Sequence, residues 1–289
     1  SALALLLGVE LMGISGMGAT RWVDVGIVTL QPSELMKITL VLALARYYHE
    51  HTLEDAQSLR YLAVPALLIA APVALVLRQP DLGTAALLVL GGSSMLLLAG
   101  VRARVFITVG VLAIAAIPVG WRFLRDYQRE RILTFLDPER DPLGAGYQII
   151  QSKIALGSGG IFGKGFLQGS QSYLDYLPEK HTDFIFTLFS EEFGFVGSLI
   201  LLLIYALVIY RIGIIGTYSK NNFARLFCFG FAAAFFVYVA VNMSMVLGLL
   251  PIVGAPLPIM SYGGSSMLSI MIGLGIVMSC KIHNQDELT

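Results

Sequence analysis

The chain has 289 residues, of which 56% are hydrophobic and only 13% charged, about half the roughly 25% charged share of soluble domains. With a mean hydropathy of +0.78, a water-soluble globule would expose more apolar surface than monomers tolerate, which excludes a soluble enzyme, a nucleic-acid binder and a disordered chain. Nineteen Lys and Arg balance nineteen Asp and Glu, so any electrostatic attraction is local rather than a global field.

A helix that crosses a bilayer needs about 17–25 mostly apolar residues. The chain opens at Ser1 already inside an apolar run, with no initiator Met and no basic leader, as though its beginning were missing. In chain order the sequence predicts spans at 1–14, carrying Glu10, and at 32–48, carrying Glu34 and Lys37. Uncharged gaps between charged residues predict further spans at 61–77, 82–101, 105–121 and 193–210. The segment 226–280 is charge-free and long enough for two, with Pro251, Pro256 and Pro258 marking the turn. The total is about eight. Ionisable groups inside membrane helices are costly and face a protein interior or a wet cavity, which singles out the first two spans.

Lys and Arg in short loops set the orientation. With the Ser1 end inside, the inward loops and tail hold Arg46, Arg60, Arg102, Arg104, Arg211, Lys220, Arg225 and Lys281, while the outward loops hold only Arg21 and Arg78. The C-terminus is then cytoplasmic, and the connection 122–182 lies outside. Loops beyond about 12–15 residues are usually functional or disordered. Apolar residues recurring through 147–156, among them Ile149, Ile150, Ile154 and Leu156, predict a short amphipathic helix in the membrane interface.

The glycine run from Gly157 to Gly165 fails the P-loop pattern, since its first glycine falls on Ser158 and its hydroxyl position on Gly165. Successive glycines with Lys164 still offer backbone N–H groups to a diphosphate. His181-Thr182-Asp183 ends the outer loop, and Asp183 reads either as a helix N-cap or as a general base at the membrane surface. Glu34 and Lys37, three apart, share a helical face and read as an ion pair or as a polar cavity lining. Arg78, Asp81, Arg125, Arg129, Arg131 and Lys164 fall at the outer face. There the cations can neutralise diphosphate or simply meet solvent and headgroups. Cys228 and Cys280 lack the spacing of a zinc site or disulfide framework. HExxH, SxxK and GxSxG motifs are absent, so covalent serine catalysis has no candidate.

Several stretches together resemble the SEDS family (shape, elongation, division and sporulation). They are Gln31-Pro32-Ser33-Glu34, Gln79-Pro80-Asp81-Leu82-Gly83-Thr84, Tyr127-Gln128-Arg129-Glu130-Arg131 and the run from Asp141 to Gln148. Leu177-Pro178-Glu179-Lys180-His181-Thr182-Asp183-Phe184, Pro256-Leu257-Pro258 and Ser261-Tyr262-Gly263-Gly264-Ser265 complete the set, and Gly169-Ser170-Gln171-Ser172 is most similar to the elongation branch. The resemblance implies an all-α polytopic membrane domain over 1–289. It also implies a family total of ten spans, of which this chain begins at the third.

By the same resemblance the chain is a peptidoglycan glycosyltransferase of the bacterial inner membrane, working at the outer face beside a class B penicillin-binding protein. It would polymerise lipid II and release undecaprenyl diphosphate. Asp183 is the implied essential carboxylate, and Glu34 with Lys37 line the polar cavity near it. A β-1,4 bond made from an α-linked donor requires inversion by direct displacement. A base must therefore take the acceptor proton, while cations or a divalent metal, Mg or Mn, offset charge on the leaving diphosphate. Arg129, Arg131 and Lys164 are candidates for that second role, and Asp81 and His181 for further substrate contacts. Two other readings stand beside it: a lipid II flippase, which would spread functional charges through the membrane depth, and a noncatalytic scaffold for the crosslinking partner.

Overall fold

The computed structural model describes residues 2–12, 14–16, 19–24, 29–124, 126–141, 144–169 and 181–283. Helices dominate: α1 (Ala2–Met12), α2 (Pro32–His49), α3 (Leu53–Gln57), α4 (Leu59–Arg78), α5 (Leu82–Leu98), α6 (Ala103–Phe123) and α7 (Asp126–Leu136). After a short 3₁₀ turn follow α8 (Ala145–Ser158), α9 (Ile185–Tyr218), α10 (Asn222–Val246) and α11 (Gly264–Ile282). Every predicted span is found as a helix. Helices α4, α6, α9, α10 and α11 are each long and apolar enough to cross a membrane, whereas α1, with 11 residues, reaches about 16 Å at 1.5 Å per residue. A small antiparallel sheet, β1 (Ile14–Gly16), β2 (Ala19–Asp24) and β3 (Thr29–Leu30), precedes α2. Counting uncharged runs did not anticipate it, because strands this short leave no mark on a span-length window.

The chain divides into two compact units, the first formed by 1–101, 206–238 and 262–289, the second by 102–205 and 239–261. At the centre of the first is α2, packed against α1, α4, α5 and α11. Pro32 enters its first turn with Glu34, and Arg46 and His49 close its last turn, a charge order that complements the helix dipole. Leu40, Leu44, Leu87, Leu88, Met95, Phe227 and Phe235 form the buried interior. Helix α5 starts at Asp81, whose Oδ1 accepts from Thr84 N at 3.1 Å and whose Oδ2 accepts from the Thr84 hydroxyl at 2.9 Å, satisfying first-turn donors. In α3 a capping box joins Thr52 and Asp55. The Thr52 backbone N–H, with its hydroxyl, holds the Asp55 carboxyl below its ordinary value.

In the second unit, no residue of Ala103–Arg122 in α6 is buried among the described residues. An apolar helix without a buried face belongs in a solvent as apolar as itself, here the bilayer. Arg129 of α7 donates to the carbonyls of Trp121 at 3.1 Å and Arg122 at 3.0 Å, capping the end of α6. The amphipathic helix expected at 147–156 is α8, which turns Ile149, Ser152 and Ala155 inward and leaves Ile154 exposed. Ser152 sits 2.9 Å from the Thr187 hydroxyl and donates to Val246 O at 2.8 Å.

Helix α9 is broken at Gly194, whose φ of 65° and ψ of −162° are not helical. The break frees main-chain groups on both sides, and the glycine loop after α8 takes them up. Lys164 N and Gly165 N each donate, at 3.0 Å, to Glu191 O and Glu192 O respectively, while Phe195 N and Val196 N donate to Gly160 O at 2.9 Å and Ile161 O at 3.0 Å. The N–H groups of Lys164 and Gly165, two of those a diphosphate would have used, are thus spent on repairing a helix.

Candidate functional site

In the first unit, Glu34 and Lys37 form a buried ion pair, Nζ to Oε1 at 2.7 Å, with the residues only 5% and 7% exposed. The Lys37 ammonium also lies 4.7 Å from the centroid of the Tyr238 ring on α10, a favourable cation–π placement. The start of α2 is tied down by Ser265 of α11, whose hydroxyl accepts from Gln31 N at 3.0 Å and donates to Thr29 O at 3.3 Å. Asp81 belongs to this unit too, with both oxygens engaged in the α5 cap.

In the second unit, Asp183 stands in the turn 181–184 that leads into α9, half-buried. Two polar side chains fix its backbone. Asn242 of α10 donates through Nδ2 to Asp183 O at 2.8 Å and to Ala255 O at 2.6 Å. Ser261 donates to Thr182 O at 2.6 Å and accepts from Leu257 N at 2.7 Å. Gly254 has φ of 70°, and a Cβ there would come 3.5 Å from Asp183 Oδ2. The segment 254–261 is therefore a rigid collar beside the carboxylate, braced by Tyr205, whose hydroxyl donates to Pro258 O at 2.7 Å.

The remaining expected residues of this unit scatter in role. His181 is exposed on the same turn as Asp183. Lys164 makes a 2.6 Å ion pair with Glu191, which is fully buried, and Arg129 caps α6 while also lying 3.8 Å from Asp126. Arg125, the first half of the motif 177–184, and the side chains of Arg131 and Glu10 lie outside the described residues. The span-based reading missed Asn242, although an amide inside an apolar helix is itself a signal. It also used Glu192 only as the border of a span and never weighed Glu191. Among the described residues no three His, Cys, Asp or Glu side chains cluster so as to hold a metal ion. The described residues alone therefore offer no such cluster for a divalent metal.

A family model described as cell cycle protein, that of FtsW, RodA and SpoVE, matches residues 1–286. The chain belongs to this family. It is the SEDS family that the motifs resemble. Peptidoglycan glycosyltransferase MrdB of Escherichia coli K12 is 49% identical over 282 residues, covering 97% of this chain and 76% of the relative. Stage V sporulation protein E of Bacillus subtilis is 35% identical over 275 residues, covering 95% of this chain and 74% of that one. A chain from a solved peptidoglycan synthase complex, described by its structural coordination of polymerization and crosslinking, superposes with a TM-score of 0.82 at 38% identity, covering 99% of this SEDS chain and 80% of that chain. The rod shape determining protein RodA of Thermus thermophilus gives a TM-score of 0.70 at 30% identity, covering 99% of this chain and 77% of that one.

Proposed function

We propose that this SEDS chain is a peptidoglycan glycosyltransferase that polymerises lipid II by inverting displacement of undecaprenyl diphosphate, serving cell elongation and rod shape. Its relatives' names and its family membership support the activity class. The observation that carries the assignment of the site is the seating of Asp183, a carboxylate whose own carbonyl and whose neighbour's carbonyl are both clamped by buried or half-buried side chains. A base held in this way loses little entropy on meeting its acceptor.

Asp183 accepts the proton of the acceptor hydroxyl as that oxygen attacks the donor anomeric carbon, and the diphosphate departs from the opposite side. No covalent enzyme intermediate is required. Glu34 and Lys37 are the candidates for a polar lining that receives the sugar or diphosphate, and His181, Arg129, Arg131 and Lys164 are further candidates for contacts to the substrate. In this reading Asp81 acts through the order it gives to the start of α5. The site faces outward from the bacterial inner membrane, with the C-terminus in the cytoplasm. A class B penicillin-binding protein crosslinks the strands that emerge.

The test is polymerisation of fluorescent lipid II by the purified chain, read on a gel with and without that partner. Asp183→Asn keeps the size of the side chain and one accepting oxygen but removes the base, and a positioned general base is worth about 10²–10⁴-fold. A ladder from the wild type and a loss of that order in the variant are expected. Near wild-type rates in the variant would overturn the role of Asp183. A wild type inert under both conditions would overturn the transferase reading.

A further inference from the structure

A cavity of about 360 Å³ opens in the first unit at the far end of α2 from the Glu34–Lys37 pair. From Glu34 to Tyr48 is about 21 Å along the helix axis. The cavity is walled by the end of α2, the turn into α3, the end of α5 and the first turns of α10. The Lys and Arg bias of the loops assigns this end to the cytoplasm.

Its lining has the polarity of an amphipathic anion. Arg225 is exposed at the rim, its guanidinium donating to Asn222 Oδ1 at 2.7 Å, and among the described residues no carboxylate pairs with it. Of the acids near the rim, Glu50 pairs with Arg46 at 2.7 Å, Asp55 accepts from the Thr52 hydroxyl at 2.8 Å, and Glu54 is exposed on α3. Leu98 and Phe229 supply the apolar wall. Tyr48 is only 3% exposed, and its hydroxyl has no hydrogen-bond partner. A buried hydroxyl left unpaired is costly and marks a missing acceptor.

We infer that this pocket binds the head of an anionic phospholipid, with the phosphate on Arg225 and an ester carbonyl oxygen accepting from the Tyr48 hydroxyl. The volume lies near the lower end of the roughly 300–1,000 Å³ range of ligand sites, which suits a glycerophosphate head but not whole acyl chains. Those chains leave along α5, where Leu90, Leu97 and Leu98 are exposed. A basic rim at the cytoplasmic ends of spanning helices is the general setting for such heads. This inference does not depend on the catalytic reading.

The experiment uses the full chain in neutral detergent micelles and follows thermal unfolding as dioleoyl phosphatidylglycerol, dioleoyl phosphatidylcholine or inorganic phosphate is added. Phosphatidylglycerol should raise the Tm by several degrees and phosphatidylcholine should not. Arg225→Gln should remove most of that increment. Tyr48→Phe discards only a hydroxyl without a partner, so the lipid-free Tm should hold or rise while the lipid increment shrinks. Three results would overturn the inference: equal increments from both lipids, a full increment in both variants, or the same Arg225-dependent increment from inorganic phosphate alone, which would make the site one for a soluble anion.

Discussion

Glu34 and Lys37 carry two full charges into a packed interior, and what they do depends on which contacts survive substitution. Removing one partner leaves the other charge buried and uncompensated, which typically costs about 3–5 kcal/mol, so single variants will lose stability whatever the pair's function. The exchange Glu34→Lys with Lys37→Glu restores an ion pair at the same spacing but moves the cation away from the Tyr238 ring, a contact of roughly 0.5–2 kcal/mol. Thermal unfolding of the double variant is expected close to wild type and well above either single variant, with polymerisation of lipid II lost. Full activity in the exchanged protein would reduce the pair to a structural bridge. The charges themselves were legible because spacing of three puts them on one helical face and because charge inside a span is rare. Their partner Tyr238 was not, since nothing local marks an aromatic ring two hundred residues away. Asn242 lies 59 positions from the Asp183 carbonyl it holds, and no periodicity links them.

The glycine loop and the break in α9 form one device, and each explains the other. Gly163 has φ of 81°, and a Cβ on it would collide with the carbonyl oxygen of Glu192, whereas a Cβ on Gly157 would meet nothing within 4 Å. Gly163→Ala therefore combines a left-handed backbone penalty of about 1–3 kcal/mol with loss of the close approach that lets the loop bond to α9. Gly157→Ala sits in the last turn of α8, where alanine gains up to about 0.5–1 kcal/mol over glycine. Unfolding of the two variants should shift in opposite directions or leave Gly157→Ala unchanged. Equal destabilisation would show that the loop is not specifically fitted to the kink. Composition made the loop look like a phosphate cradle because glycine-rich backbone serves both ends, and only the partner segment tells them apart. Helices α4, α5 and α6 were legible to within a few residues, and α10 and α11 as a pair inside one charge-free run, because long apolar runs between charges need no tertiary information. The start of α9 at Ile185 was legible only from the capping signal at Asp183 and not from the uncharged run 193–210, and the sheet β1–β3 depends on pairing beyond such runs.

Polymerase and flippase differ in where along the membrane depth their polar groups must lie. A flippase has to escort a charged headgroup across the whole hydrocarbon thickness of about 30 Å, which demands ionisable or strongly polar groups at the middle of spans. Here Glu34 and Lys37 sit in the opening turns of α2, Asp81 immediately before α5 and Asp183 in the turn that leads into α9. Alternation of the spans read from the sequence gives all of these helix starts the same side of the membrane. The middles of α4, α6 and α11 are uncharged, and 226–280 holds no Asp, Glu, Lys or Arg. Charge gathered toward these helix starts fits handling of a lipid-linked sugar at one face better than escort across the bilayer. With the protein in vesicles whose lipid II carries a quenchable fluorophore in both leaflets, adding a membrane-impermeant quencher should remove only the outer-leaflet signal, at the extent seen in protein-free vesicles. Glycan product should accumulate in the same preparation. Quenching that proceeds toward completion in wild type and halts in a Glu34→Gln variant would turn the buried pair into part of a translocation path and reverse the choice between the two activities.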